Sequence, residues 1–535
     1  MPSNAIETAR AAIVAPEGTG MGRLTLTDIA EEHARSRPNE MAAICQQHRI
    51  TYAELNVRAN RLAAWLLAQN VAPGDRILWL GQNCHRILEG ILAAAKIGAV
   101  FCPANWRGSA EEFAFVLEDL QPTVVFWQET EVGDKTRAAR GSVSVNAVWV
   151  RHDTDEPGGY EDVLRSGSGD HAYGEADPDA PVLLLYTAAW EGKPNGAMIP
   201  HRAIIAHNLI WAWLSDIDPA YCYLNCGPLF HVATMYPMMA TFHMGGKNVF
   251  LSRADPREIC ETVDRERCNG AFIIEPTISK ILALDDLERY DLHSLKVWPT
   301  LNPEWVQITS PDASLWGRGG ATGYGQTECM GLLTAAGLGG QGAHGRPVPG
   351  VQVRLLTPGG DEVGVGEVGE ISARGLTVMV GYHNRPELNA RRFENGWYRT
   401  GDLGRREPDG SLSFVGPRGR MVKSGAENIY VAEVEVCIAT HPDVQEVGII
   451  GVPDEQWGQR VTAIVVADPA AGVTETAVIE HCRTRLATYK KPSVVVIRPQ
   501  PLPRTGAGID YDALDEQYGG GGYPGSEQFR RNARF

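Results

Sequence analysis

The chain is 535 residues long, which at roughly 150 residues per domain predicts three or four compact units and excludes a peptide-like, disulfide-stapled or repeat-only architecture. Its composition is ordinary for a globular protein, 44% hydrophobic and 21% charged, with 58 Gly and 33 Pro spread along the sequence. A net charge of −16, from 49 Lys and Arg against 65 Asp and Glu, argues against a surface for nucleic acid or anionic membrane, while a local basic patch still suffices to receive a phosphorylated cofactor.

No apolar run reaches the roughly 18 residues of a membrane span, the best candidates being broken by charges such as Lys96. The N-terminus lacks the basic start and apolar stretch of a signal peptide. The ten cysteines are scattered without a CxxC, Cys222 and Cys226 being closest in sequence, and read as buried free thiols rather than a metal site. A soluble, cytoplasmic protein is expected, with no metal site and no nucleic-acid or membrane partner.

Residues 51–69 read as a helix: Thr51 and Glu54 form a capping box, and Leu55, Ala59, Leu62 and Leu66 recur on one face. Strands follow at GDRILWLG, GAVFCPAN and PTVVFW, with helical stretches to Lys96 and from 111 onward. This alternation predicts parallel sheets covered by helices. Residues 151–180 are polar and read as a loop or edge. From 182 a buried strand, VLLLY, leads through a Gly-containing loop into a helix from about Arg202.

Beyond Gly345 the texture changes to short strands split by Gly, Pro and Asp (VQVRLL, GEISARG, WYRTGDLG, SLSFVG), predicting a β-rich subdomain over 345–416. A hinge is expected at 417–421, then a small α+β domain over 422–517. The Gly-rich end, 518–535, reads as a disordered tail. The expected fold is α/β: a large N-terminal domain, 1–416, of helix-covered sheets plus the β-rich subdomain, joined by the hinge to the small domain.

The loop Tyr186-Thr187-Ala188-Ala189-Trp190-Glu191-Gly192-Lys193-Pro194-Asn195-Gly196 lies between a strand and a helix, where a phosphate cradle belongs. Four further motifs follow in order: Tyr324-Gly325-Gln326-Thr327-Glu328, Tyr398-Arg399-Thr400-Gly401-Asp402, Lys423-Ser424-Gly425-Ala426-Glu427-Asn428, and Val452-Pro453-Asp454-Glu455-Gln456-Trp457-Gly458. The set, spanning about residues 24–510, resembles the adenylate-forming superfamily in its acyl-CoA ligase branch.

That resemblance implies an active site between the two domains and a two-step reaction, in which carboxylate and ATP give an acyl-adenylate and the thiol of CoA then displaces AMP after the small domain swings. It implies that Tyr324 faces adenine, that Gly325 belongs to the acyl-adenylate site, that Thr327 meets the phosphate, that Asp402 holds the ribose hydroxyls, and that Glu328 is the magnesium-associated carboxylate; Pro417 stands at the family's ribose-binding arginine, and Arg418 is expected to take that contact by a one-residue shift. Lys423, Ser424, Gly425 and Ala426 match the loop that enters the site for thioester formation, Gly425 allowing close approach of the pantetheine arm. His231 matches the position that shapes the acyl site and thiol tunnel. Met235, Met238, Met239 and Met244 read equally as acyl-pocket lining or as core.

The sequence departs from the family where ATP is activated. Ala188, Ala189, Trp190, Glu191 and Asn195 replace the Ser, Gly, Thr, Thr and second Lys of the phosphate loop. Three hydroxyls and a cation are thereby exchanged for an indole and an anion. Ile509 stands where the family has the lysine that bridges carboxylate and α-phosphate, and no lysine follows Lys491. Losing one such donor costs about 10²–10³ in rate. The leading expectation is an enzyme that has lost adenylation and moves the acyl group of a preformed acyl-adenylate, of hydrophobic acid, to CoA. CoA and the AMP moiety are its cofactors, Mg²⁺ is left open, and a separate adenylating enzyme is the implied supplier. A complete two-step ligase with compensating residues, and a non-catalytic acyl- or nucleotide-binding scaffold, are the alternatives.

Overall fold

A computed structural model describes residues 23–154, 156–169, 177–187, 193–298, 301–417, 420–425, 427–505 and 508–522. The helix Tyr52–Ala68 begins at the Thr51–Glu54 capping box and buries Leu55, Ala59, Leu62 and Leu66, as its periodicity requires. Strands Arg76–Leu80, Val100–Pro103 and Val124–Trp127 alternate with helices Arg86–Ile97 and α1 (Ala110–Leu120). They enter a seven-stranded sheet whose spatial order is 381–382, 196–200, 181–186, 100–103, 76–80, 124–127, 148–151. The last five of these run parallel, with residues such as Leu78, Phe101 and Val125 fully buried. Both faces are covered, so these strands read as continuous apolar runs rather than alternating ones.

A second, five-stranded sheet orders Gly270–Ala271, Cys222–Asn225, Lys247–Phe250, Met41–Cys45 and His48–Thr51. Helix α2 (Val232–His243) packs on it. The β-rich subdomain is an antiparallel sheet centred on Trp397–Arg406. Its Val351, Leu355, Ile371 and Leu412 belong to the same core as the first sheet, so the two pack as one body.

The small domain has its own cores. It opens with the hairpin β1 (Met421–Ser424) and β2 (Glu427–Tyr430), followed by α3 (Val431–Ala439), long paired strands Val444–Asp454 and Gly458–Ala467, α4 (Glu475–Arg485), strand Val494–Arg498 and α5 (Tyr511–Tyr518). One sheet face buries Val434, Ile438, Val478 and Cys482 from α3 and α4. The other buries Ile450 and Ile464 under Leu502 and Leu514.

Three expectations need correction. Both large-domain sheets carry antiparallel edges, because Gly196–Pro200 and His48–Thr51 return directly beside their predecessors. The polar stretch 151–180 contains a helix, Tyr160–Ser166, too short for its periodicity to register; it is anchored by fully buried Tyr160, whose hydroxyl donates to Glu89 at 2.9 Å. Gly519–Gly522 are ordered against the small domain: Gly521 N–H donates to Gly451 O at 2.8 Å and Gln459 donates to Gly522 O at 2.8 Å. A Cβ on Gly520 would lie 1.9 Å from Asp515 Oδ1, so glycine is what admits this approach; the rest of the tail, 523–535, lies outside the described residues. Cys222 Sγ lies 3.7 Å from Cys268 Sγ. All ten cysteines are free, and no helix among the described residues is long and apolar enough to cross a membrane.

Candidate active site between the two domains

A cleft of ≈ 1290 Å³ separates the domains, lined on the large-domain side by Lys193, His231, Gly325, Thr327, Glu328 and Asp402 and on the small-domain side by Glu427, Asn428 and Tyr430. Residues from 104 to 490, far apart in sequence, therefore line one cleft.

Asp402 lies on Trp397–Arg406 and faces the strand Gly323–Gln326. Its Oδ2 accepts from the Tyr324 hydroxyl at 2.8 Å and from Gln326 Nε2 at 2.6 Å. Two donors on one oxygen fix the carboxylate's orientation toward the cleft. Burial pushes its pKa up to about 6, and the hydrogen bonds from Tyr324 and Gln326 oppose that rise. Tyr324 plays a different part from the one expected. It is buried, is not among the cleft-lining residues, and stacks on Phe414 with centroids 5.4 Å apart. Its hydroxyl, rather than an open ring face, is its contribution.

Behind this pair runs a buried network that joins the motif residues through Tyr382, which no motif named. Tyr398 donates to Gln326 Oε1 at 3.1 Å, the Tyr382 and Tyr398 hydroxyls lie 3.1 Å apart, and Tyr382 donates to Glu328 at 2.8 Å. Burial raises the Glu328 pKa against that hydrogen bond. Strand alternation was the available signal for Tyr324 and Gln326, whose even spacing places side chains on one face; between Tyr398 and Asp402 a bulge, with Gly401 at φ +79°, breaks the alternation.

His231 caps the N-terminus of α2. Its Nδ1 accepts from the Ala233 N–H at 3.2 Å, which leaves the proton of the neutral ring on Nε2. Burial lowers its pKa; Glu427 opposes this, and Lys423 and Arg107 add to it. A neutral ring in this tautomer is a donor toward the cleft, suited to a carbonyl oxygen rather than to taking a thiol proton.

The β1–β2 hairpin reaches this wall. Ser424 pairs with Glu427, and Gly425 follows directly on the first strand of the hairpin. Gly425 sits at φ +58°, its N–H donating to Trp457 O at 2.7 Å. Lys423 donates to Asn428 Oδ1 at 2.8 Å, and burial lowers its pKa. Ser424 continues β1 beside them.

Ala188, Ala189, Trp190, Glu191, Arg418 and Ala426 lie outside the described residues. Asn195 is described and buried: its Oδ1 accepts from Arg385 Nε at 3.1 Å, and Arg385 pairs with Asp119 at 2.7 Å. A lysine at 195 would set a second cation against Arg385. Ile509 packs with Ile450, Leu502 and Leu514 in the small domain's apolar cluster and does not line the cleft. Met235, Met238 and Met239 are fully buried core residues absent from the cleft wall. Among the described residues no cluster of three His, Cys, Asp or Glu side chains is placed to hold a metal.

The sequence matches the model of the AMP-binding enzyme family over residues 30–383 and that of the AMP-binding enzyme C-terminal domain over 433–508. It is 32% identical over 498 residues to a long-chain-fatty-acid–CoA ligase of Mycobacterium tuberculosis, covering 88% of this chain and 93% of that one. It is 33% identical over 495 residues to a feruloyl-CoA synthase of Amycolatopsis sp, covering 89% and 95%. The fold matches that of a Bacillus subtilis o-succinylbenzoate CoA synthetase double mutant with TM-score 0.74, at 24% identity over 91% of this chain and 98% of that chain.

Proposed function

This chain belongs to the AMP-binding enzyme family, among acyl-CoA ligase relatives, and from that premise we propose that it carries out the second half-reaction alone: transfer of an acyl group from a preformed acyl-adenylate to CoA. The thiol sulfur bonds to the acyl carbon, the bond from that carbon to the AMP phosphate oxygen breaks, AMP leaves with the electron pair, and the thiol proton passes to solvent. An acyl-adenylate is already an activated anhydride, so alignment of thiol and carbonyl is the main task. Asp402 takes the ribose hydroxyls, Thr327 contacts the phosphate, and His231 Nε2–H faces the carbonyl. The hairpin at Gly425 borders the thiol's path.

The observation that carries this reading is the contrast between two segments of the small domain. The hairpin enters the cleft wall at Glu427, while Ile509 is packed into an apolar cluster away from it. A magnesium ion would be held by Glu328 together with phosphate oxygens, since Mg²⁺ commonly binds one or two carboxylates plus substrate phosphates. When bound it would neutralise phosphate charge, and no step above depends on it. Because an acyl-adenylate hydrolyses in water, a separate adenylating enzyme must supply it.

Lys193, Thr327 and Glu328 in the cleft wall favour a second reading, a complete two-step ligase. Purified protein given synthetic acyl-adenylates and CoA without ATP is expected to form thioester and release one AMP per turnover. Pyrophosphate release from ATP and free acid would establish the second reading, and no thioester across a broad panel of hydrophobic acids would overturn both.

A further inference from the structure

Among the described residues, the small domain meets the large one at a ledge, residues 105–112, built around a helix cap. Ser109 and Glu112 form the capping box of α1: Ser109 Oγ accepts from the Glu112 N–H at 3.1 Å, and Glu112 Oε2 accepts from the Ser109 N–H at 2.9 Å. These bonds satisfy backbone donors that a helix N-terminus leaves open. The same two side chains turn their remaining capacity outward. The Ser109 hydroxyl donates to Arg485 O at 2.7 Å, and Glu112 Oε1 accepts from Lys490 Nζ at 2.8 Å. Lys490 also donates to Glu433 Oε1 at 2.7 Å. All three charged side chains are largely shielded, with 11%, 7% and 20% of Lys490, Glu433 and Glu112 exposed.

Beside them, Asn105 donates to the Tyr489 hydroxyl at 3.2 Å, and the Arg107 guanidinium lies 5.0 Å from the Tyr489 ring and 5.1 Å from the Phe230 ring. Arg107 then reaches Glu427 of the hairpin at 2.5 Å. A continuous set of contacts thus runs from the cap through Tyr489 and Arg107 to the hairpin and to Phe230, the neighbour of His231.

We propose that Lys490, clamped between Glu112 and Glu433, is a positioning residue that docks the small domain on the capping box of α1 and so holds the Gly425 hairpin at His231. Without the ammonium, two carboxylates face each other across the interface in a partly dehydrated site, where like charges repel most strongly. Separation of the domains relieves that repulsion by returning both to water. The latch itself stands on contacts alone; its consequence for turnover rests on the acyl-transfer reading.

The test uses the full chain with Lys490→Gln, Glu112→Gln and Lys490→Arg. Glutamine at 112 keeps the capping box and removes only the charge, so a folding failure of one variant leaves the other informative. Trypsin, whose sites in the hinge sequence follow Arg418 and Arg420, reads domain docking independently of activity. Both Gln variants are expected to be cut at the hinge about tenfold faster and to lose about tenfold in kcat for acyl transfer, with AMP affinity within about twofold of the parent and Lys490→Arg close to it. Unchanged hinge cleavage in both Gln variants overturns the latch. Faster cleavage with unchanged kcat overturns its positioning role. A parent protein that transfers no acyl group sinks the functional reading instead, and hinge cleavage still decides the latch.

Discussion

Burial raises the pKa of Asp402 to about 6. On the proposed reading a ribose hydroxyl donates to its charged carboxylate, so protons would compete with the nucleotide below that value. AMP affinity should be flat above pH 7 and fall about tenfold by pH 5. Calorimetric titration across that range checks it, and Asp402→Asn should bind weakly without the pH dependence. A wild-type profile equally flat to pH 5 would mean that the ribose is held elsewhere. The same scale separates two effects at Gly425. Its φ of +58° strains any L side chain by about 1 kcal/mol, but a Cβ there meets the Trp457 ring at 3.5 Å, an ordinary contact. Gly425→Ala should therefore lower stability slightly and keep thioester formation, whereas Gly425→Leu should abolish thioester formation with AMP binding intact. Equal loss in both variants would assign the effect to backbone strain rather than to a blocked thiol path.

Among the elements, the ribbon Arg504–Thr505 with Gly508–Ile509 carries isoleucine where the family pattern has lysine. Ile509 is part of the apolar cap over the small-domain sheet, with Leu502 and Leu514 as neighbours. Ile509→Lys sets an ammonium against that cluster and should cost about 1 kcal/mol in denaturant unfolding. It should give no pyrophosphate release from ATP and acid. Pyrophosphate released by that single change would show that the lysine was the only missing part. The helix Tyr52–Ala68 was legible from its capping box and apolar period, because both are local patterns. The helix Tyr160–Ser166 was not: seven residues give barely two turns, and what stabilises it is the distant Glu89 accepting from Tyr160.

For the whole molecule, the separate cores predict separate unfolding. The small-domain clusters share no residue with the large-domain core, and the interface between them is largely the charged ledge at 105–112. Scanning calorimetry should resolve more than one transition, and Lys490→Gln should lower the small-domain transition more than the large; a single transition with equal calorimetric and van't Hoff enthalpies would contradict this. The sequence alone determined the two-domain α/β class, the order of the elements and the choice of Thr327, Glu328 and Asp402, which the fold brings to one cleft, because hydrophobic period and motif spacing are written within short windows. Only the tertiary structure decided that Tyr324 is stacked away from the cleft, that Asn195 is held by Arg385, that the methionines of α2 are core, and that Lys490 bridges two carboxylates 57 and 378 residues away. Burial and charge pairing arise when distant segments are brought together, and no local pattern encodes which partner a side chain will meet.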